Sequence, residues 1–113
     1  MLSCQSYQRL IMIKVEIVYS NNNLSSLKIK GHANSGEYGK DLVCAGVSAV
    51  TIGALNAIED DSKFEIEVEP GDVSIEVIDK PSEHDLTVLE IMILQLKTIE
   101  VSYKGYISIK ERK

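Results

Sequence analysis

Two residues of types that do nucleophilic chemistry stand near each other in the sequence, His32 and Cys44, with eleven residues between them. A cysteine thiol is mostly protonated at neutral pH, so it becomes a good nucleophile only where a base or a positive field favours the thiolate. Histidine is the side chain that most often supplies such a base. Glycines at 36 and 39 let the intervening backbone double back, so His32 could reach Cys44. The pair predicts a nucleophile with its general base.

The segment after this loop, residues 42–58, has no charged residue and is predicted to be a buried helix. It is too short and too rich in polar residues for a membrane span, and its flanks are acidic. Asp41 is a good N-cap and would place Cys44 at the third helical position. Unpaired N–H groups and the helix dipole there would favour the thiolate and could hold an oxyanion. Ser48, one turn later, could hydrogen-bond beside the site or bond back to its own helix.

The alternative for Cys44 is a structural role, because an isolated cysteine among alanine and valine is often a small core residue. The strand predicted before the loop argues against it. Leu27 and Ile29 alternate there with lysines, which puts His32 on the polar side of the strand end, where it does not fill a core.

Two other kinds of site do not match the sequence. Residues 31–36 begin like a phosphate-binding loop, but Glu37 and Tyr38 stand where that loop needs Lys and Ser or Thr. Potential zinc ligands lack the short spacing of a structural zinc site; they are Cys4, His32, Cys44 and His84. We expect no metal and no cofactor.

The elements that position the pair form an α+β domain of order ββαββαβ. Period-two alternation predicts one hairpin over residues 12–32 and another over residues 64–77, turned at Pro70 and Gly71. Ser82 opens a second helix of about twenty residues with a capping box, and residues 106–109 form the last strand. A stripe of small residues on the first helix predicts that the second helix packs there; the stripe is Gly46, Ala49, Gly53 and Ala57. We expect residues 1–11 to be a dispensable appendage to the domain at 12–113.

The residues around the pair resemble the signature of the bacterial ribosomal-processing cysteine proteases. The resemblance extends from about residue 12 to the C-terminus and rests on a dense set of matches: Gly31, His32, Ala33, Gly36, Gly39, Asp41, Val43, Cys44, Ala45 and Ser48. It implies that His32 and Cys44 are the catalytic pair and that the substrate is a large-subunit ribosomal protein precursor, which loses a short N-terminal extension. Gly31, Asp41 and Ser48 would support the pair. A mobile substrate loop would contain Gly36, Glu37, Tyr38 and Gly39.

Charge and composition limit the kinds of partner that the protein can be expected to bind. Lys and Arg total 12 against 17 Asp and Glu, and the net charge of −5 favours a basic polypeptide over nucleic acid. Two cysteines and no export signal predict a cytoplasmic protein without a membrane anchor. Leu94 and Val101 interrupt the polar side of the second helix and predict a symmetric homodimer.

Two rival functions stay open at this point. One is a non-catalytic module that holds a peptide or an anion with the loop and the helix N-terminus, Cys44 being merely buried. The other is a thiol transferase or amidase that uses the same two residues.

Overall fold

The computed structural model describes residues 12–31 and 38–113, with the side chains of residues 38–41 excepted. Its element order is the predicted ββαββαβ. The strands are β1 (Ile13–Ser20), β2 (Asn23–Lys30), β3 (Phe64–Glu69), β4 (Asp72–Val77) and β5 (Ile107–Arg112). The helices are α1 (Tyr38–Ala57) and α2 (Glu83–Ser102), and a single 3-10 turn at Asp61–Lys63 leads into β3.

The five strands form one sheet in the order β3-β4-β2-β1-β5. Neighbouring strands are antiparallel except for β1 and β5, which pair in parallel, Ile13 opposite Ile107. The β1–β2 hairpin turns through Asn21 and Asn22, both at positive φ, a conformation that asparagine tolerates and tight hairpins require. Both predicted hairpins are confirmed.

The core lies between one face of the sheet and the two helices. Ile13, Val15 and Ile17 alternate inward along β1 and are at most 2% exposed. Leu89, Met92 and Leu96 of α2 meet them and are fully buried. The other face of the sheet is polar and includes Lys14, Lys28, Lys30 and Lys110. Burial of one strand parity therefore sets the register of the hairpin.

Helix α2 begins as the capping box predicts, since the Ser82 hydroxyl accepts a hydrogen bond of 3.1 Å from the Asp85 backbone N–H. The second half of the predicted box is wrong. The Asp85 carboxylate does not turn back to Ser82 but accepts from the backbone N–H groups of Glu59 and Asp60.

Three boundaries differ from the predicted ones. Strand β2 ends at Lys30, two residues before His32, because Gly31 adopts a positive φ of 98° and turns the chain out of the strand. Helix α1 begins at Tyr38, so Asp41 lies in its first turn and is not its N-cap. Strand β5 continues through Arg112 because β1 offers it a partner along its length.

The stripe of small residues on α1 does face α2, but of its two glycines only Gly46 lies close to that helix. A Cβ atom at Gly46 would lie 3.5 Å from Ile99 Cδ1, whereas one at Gly53 would meet nothing within 4 Å. Further along, the stripe opens on a shallow cavity of about 450 Å³ between the helices. Neither helix, within the part of the chain the structure describes, is long and apolar enough to cross a membrane.

Candidate active site

A cavity of about 360 Å³ lies between α1 and the end of the sheet where β2 and the β3–β4 turn meet. On the helix side it is lined by Cys44, Ser48 and Thr51, which are spaced four and three residues apart and therefore share one face of α1. The opposite wall is formed by the sheet and the turn; it contains Ile13, Ile29, Gly31, Val68, Glu69, Pro70, Gly71, Asp72 and Val73. The cavity thus places the predicted nucleophile in a groove with an apolar floor and an acidic rim.

Cys44 is the free cysteine of the described chain, and it is only partly buried. Its neighbour Val43 is 2% exposed and belongs to the core, so the backbone around the thiol is held by packing. A buried structural cysteine would be inert, whereas this one can meet a ligand in the groove.

The place of Cys44 within α1 differs from the prediction. Because α1 begins at Tyr38, Cys44 is the seventh helical residue and lies in the second turn. Its backbone N–H is therefore inside the helical hydrogen-bond ladder, and the unpaired N–H groups belong to residues 38–41. The predicted third helical position of Cys44 is therefore wrong. The helix start was misplaced because an aspartate is as favourable inside the first turn as at the N-cap. At Asp41 the negative charge lies near the positive end of the helix dipole.

Gly31 is the last described residue before His32, and two contacts fix its backbone. Its N–H donates a hydrogen bond of 2.9 Å to the carbonyl oxygen of Gly71 in the β3–β4 turn. A Cβ atom at Gly31 would lie 2.7 Å from the carbonyl oxygen of Met12, closer than real Cβ contacts. Only glycine suits this positive-φ position. The chain therefore leaves β2 at the wall of the cavity that contains Cys44.

Several predicted site residues lie outside the described residues: His32, Gly36 and Glu37, together with the side chains of Tyr38 and Asp41. The backbone of Tyr38 and Gly39 belongs to α1, so these two residues of the predicted substrate loop are helical. Residues 1–11 also lie outside the described part.

Thr51 and the β3–β4 turn belong to the wall of the groove, and neither was predicted from the sequence. Thr51 follows Cys44 by seven residues, a spacing that returns to the same helix face and could have revealed it. No pattern in the sequence indicates that the turn at Pro70 and Gly71 approaches α1, because that contact depends on the order of the strands in the sheet.

A second polar cluster lies at the start of α2 and contains Glu59, His84 and Asp85, whose potential metal-ligand atoms lie within 4.8 Å of one another. His84 Nδ1 lies 2.9 Å from Asp85 Oδ1 and 3.6 Å from Glu59 Oε1. Both Asp85 oxygens already accept backbone hydrogen bonds, from Glu59 at 2.9 Å and Asp60 at 3.1 Å. None of the three residues lines the groove at Cys44. The cluster therefore ties the end of α1 to the start of α2.

The ionisation of this second cluster follows from those contacts. The hydrogen bond to Asp85 raises the pKa of His84, and nearby Glu59 adds to the shift. Burial, the largest single influence on Asp85, would raise the pKa of that carboxyl. The Glu59 N–H, the His84 ring and the Asp60 N–H together outweigh burial and lower it. Asp85 is therefore an anion held by its donors.

The model of the cysteine protease Prp family matches residues 12–108 of the chain. The chain belongs to the cysteine protease Prp family. The ribosomal processing cysteine protease Prp of Bacillus subtilis is 38% identical over 102 residues, which cover 82% of this chain and 91% of that protein. The protein of the same name from Staphylococcus aureus is 35% identical over 97 residues, covering 81% and 92%.

A solved structure agrees with this assignment. The essential ribosomal processing protease Prp from S. aureus, in complex with a covalently linked product peptide, superposes with a TM-score of 0.75 at 31% identity. The match covers 88% of this chain and 99% of that one. The α+β fold predicted from the sequence is thus the Prp fold, and the groove at Cys44 belongs to a cysteine protease.

Proposed function

We propose that the protein is an endopeptidase that removes a short N-terminal extension from a large-subunit ribosomal protein precursor. In the proposal Cys44 is the nucleophile and His32 is the general base. The observation that carries it is the partly exposed Cys44 thiol in the wall of a groove of about 360 Å³. Relatives in the family are named for ribosomal processing, and one binds a covalently linked product peptide.

The proposed reaction has two acyl-transfer steps. The Cys44 sulfur attacks the scissile carbonyl carbon and forms a C–S bond, while His32 takes the thiol proton. The C–N bond then breaks, and His32 delivers that proton to the leaving amine. A water molecule attacks the resulting thioester with His32 again as base, which frees the new carboxyl terminus and restores the thiol.

The other predicted site residues have supporting roles in this proposal. Gly31 directs the chain from β2 towards His32, which its hydrogen bond to Gly71 supports. Ser48 lies one turn from Cys44 on the cavity wall, where its hydroxyl can contact substrate. Asp41 lies in the first turn of α1, where it helps to orient the catalytic pair. Gly36 and Glu37 cover the substrate, together with Tyr38 and Gly39.

The groove also suits the charge of the proposed substrate. Glu69 and Asp72 line it and stand opposite each other in the β3–β4 register. Two like charges placed opposite each other repel, and a cationic group on the substrate would relieve the repulsion. Ribosomal proteins that bind RNA are basic, so an acidic rim favours them over acidic polypeptides.

We further propose that two copies pair through α2. Leu94 is 63% and Val101 71% exposed on this helix, and Ile91 nearby is 49% exposed. Apolar side chains at this spacing form one exposed stripe, which a second copy would cover symmetrically. The setting proposed for this dimer is the cytoplasm, without a cofactor, a metal, a nucleic-acid partner or a membrane. Residues 1–11, which precede the family match, are proposed to be dispensable.

The test uses a synthetic peptide that spans the extension and the first residues of the mature ribosomal protein, with a scrambled peptide as control. Mass spectrometry should show a single cut in the first peptide and none in the second. Treatment with iodoacetamide should abolish the cut, since it alkylates Cys44. Binding of the intact peptide without any cut would instead support the non-catalytic module, and equal cutting of both peptides would exclude a processing role.

A further inference from the structure

The Thr51 hydroxyl is buried in the wall of the groove. Thr51 is 1% exposed, and its Oγ1 has no partner among the described residues. Burying a hydroxyl in this way destabilises a fold, whereas a valine of the same shape would avoid the penalty. An unsatisfied buried group in a native chain calls for an explanation, such as a ligand that supplies the missing partner.

The position of Thr51 indicates where that partner would lie. Four residues of the groove wall are buried, and Thr51 is the polar one beside Ile13, Ile29 and Val47. It shares the α1 face of Cys44 and Ser48, so the three side chains follow the groove along the helix. A ligand that follows the groove from Cys44 therefore passes over Thr51.

We infer that Thr51 is a specificity-determining residue, whose hydroxyl hydrogen-bonds a neutral polar group of the bound peptide. This inference rests on the proposed function. Seven residues of helix span about 10 Å, and an extended peptide advances about 3.3 Å per residue. The partner group thus lies about three residues from the scissile bond. A neutral group such as a carboxamide or hydroxyl fits, because the apolar side chains buried beside Thr51 offer no counter-charge to an ion.

The decisive variant is Thr51→Val, which keeps the shape and removes the hydroxyl. With the extension peptide as substrate, KM should rise by about three- to thirtyfold while kcat changes less than twofold. Thr51→Ser, which keeps the hydroxyl, should restore most of the affinity. Thr87→Val makes the same chemical change on the exposed surface of α2 and should leave both constants unchanged.

A second readout separates this role from a structural one. Thr51→Val should melt at the wild-type temperature or above, since it removes an unsatisfied buried hydroxyl; a lower melting temperature would mean that the hydroxyl serves the fold, and would overturn the inference. Replacing peptide residues near the cut one at a time by alanine should find one replacement that abolishes the difference between Thr51→Val and wild type. Wild-type KM in Thr51→Val would refute the role of Thr51 while leaving the protease intact. A wild-type protein that cuts no extension peptide would overturn the proposed function itself.

Discussion

The Asp85 carboxylate accepts a hydrogen bond of 2.9 Å from the backbone N–H of Glu59, which lies 26 residues earlier in the chain. With the second bond from Asp60, it fixes the segment that leaves α1 against the first turn of α2. Asp85 is completely buried. If its carboxylate is lost, no water can accept the hydrogen bonds of the two backbone N–H groups in its place. The helix that carries Cys44 is therefore anchored at its far end by a residue of the other helix.

Replacing Asp85 should weaken this anchor. In Asp85→Asn one oxygen becomes an amide nitrogen, so one buried backbone N–H loses its acceptor and the rest lose a charged partner. We expect a loss of about 2–4 kcal/mol in the free energy of unfolding, measured by urea denaturation. Glu83→Gln, which neutralises an exposed carboxylate in the same helical turn, should change stability by less than about 0.5 kcal/mol. Equal effects of the two variants would contradict a specific anchor.

The same cluster predicts a pH dependence of stability. The folded-state pKa of His84 is raised by Asp85, so the contribution of His84 is fully present below its unfolded pKa of about 6.5. It is lost as the pH rises through the folded value. The folded-state pKa of Asp85 is lowered, so its contribution is present above about 3.9 and is lost as the pH falls through the lower folded value.

His84→Gln isolates the histidine part of this window. The variant should melt below wild type at pH 5.5, and the gap should shrink by pH 8.5 because the wild-type ring loses its proton as the pH rises through its raised folded pKa. Thermal melts of both proteins at these two values test it. A gap of the same size at both pH values would show that His84 acts through packing and not through its charge.

Gly31 and Gly105 form a natural pair for testing the approach to His32. Both have positive φ, 98° and 96°, but a Cβ atom would collide with Met12 at Gly31 and meet nothing within 4 Å at Gly105. Alanine at either position pays the backbone strain of about 1–2 kcal/mol, and at Gly31 it adds the collision. We expect Gly31→Ala to be less stable than Gly105→Ala. Its kcat/KM should also be at least about tenfold lower, because the collision displaces the chain before His32. Equal losses of stability and of kcat/KM in the two variants would show that Gly31 has no special role in positioning the site.

The features that local chemistry decides were predictable from the sequence. The features that depend on pairing between distant segments were not. Alternation along β1 and the Ser82 cap are local, and both are confirmed. The parallel pairing of β1 with β5 joins strands almost a chain length apart, and no local pattern encodes it. The groove wall at Pro70 and Gly71 follows from that strand order, so it was missed for the same reason.

The candidate site divides in a similar way. The types and spacing of residues 31–48 predicted a cysteine nucleophile and the family to which the chain belongs. The start of α1 was misplaced by four residues because an acidic residue is favourable both as a cap and within the first turn. The unsatisfied Thr51 hydroxyl could not be anticipated, since whether a helical threonine is buried depends on what packs over it.

The exposed stripe on α2 gives a test of the dimer. A Leu94→Glu and Val101→Glu double variant would place charges in the proposed interface, and it should elute as a single chain of 12.5 kDa. Wild type should have twice that mass by light scattering at micromolar concentration. Ile78→Glu changes an apolar side chain of similar exposure, 55%, outside α2 and should leave the dimer intact. A wild-type mass of 12.5 kDa would refute the dimer outright.

The central claim is that the Cys44 sulfur attacks the substrate, and it is tested most directly by kcat/KM for the extension peptide in Cys44→Ser. Cys4→Ser, the same exchange at the other cysteine of the chain, is the matched control. A serine hydroxyl is a far weaker nucleophile than a thiolate, so Cys44→Ser should lose at least about a thousandfold in kcat/KM while still binding the peptide. Cys4→Ser should cut at the wild-type rate. If Cys44→Ser cuts within about tenfold of wild type, Cys44 is not the nucleophile and the assignment of the site is wrong.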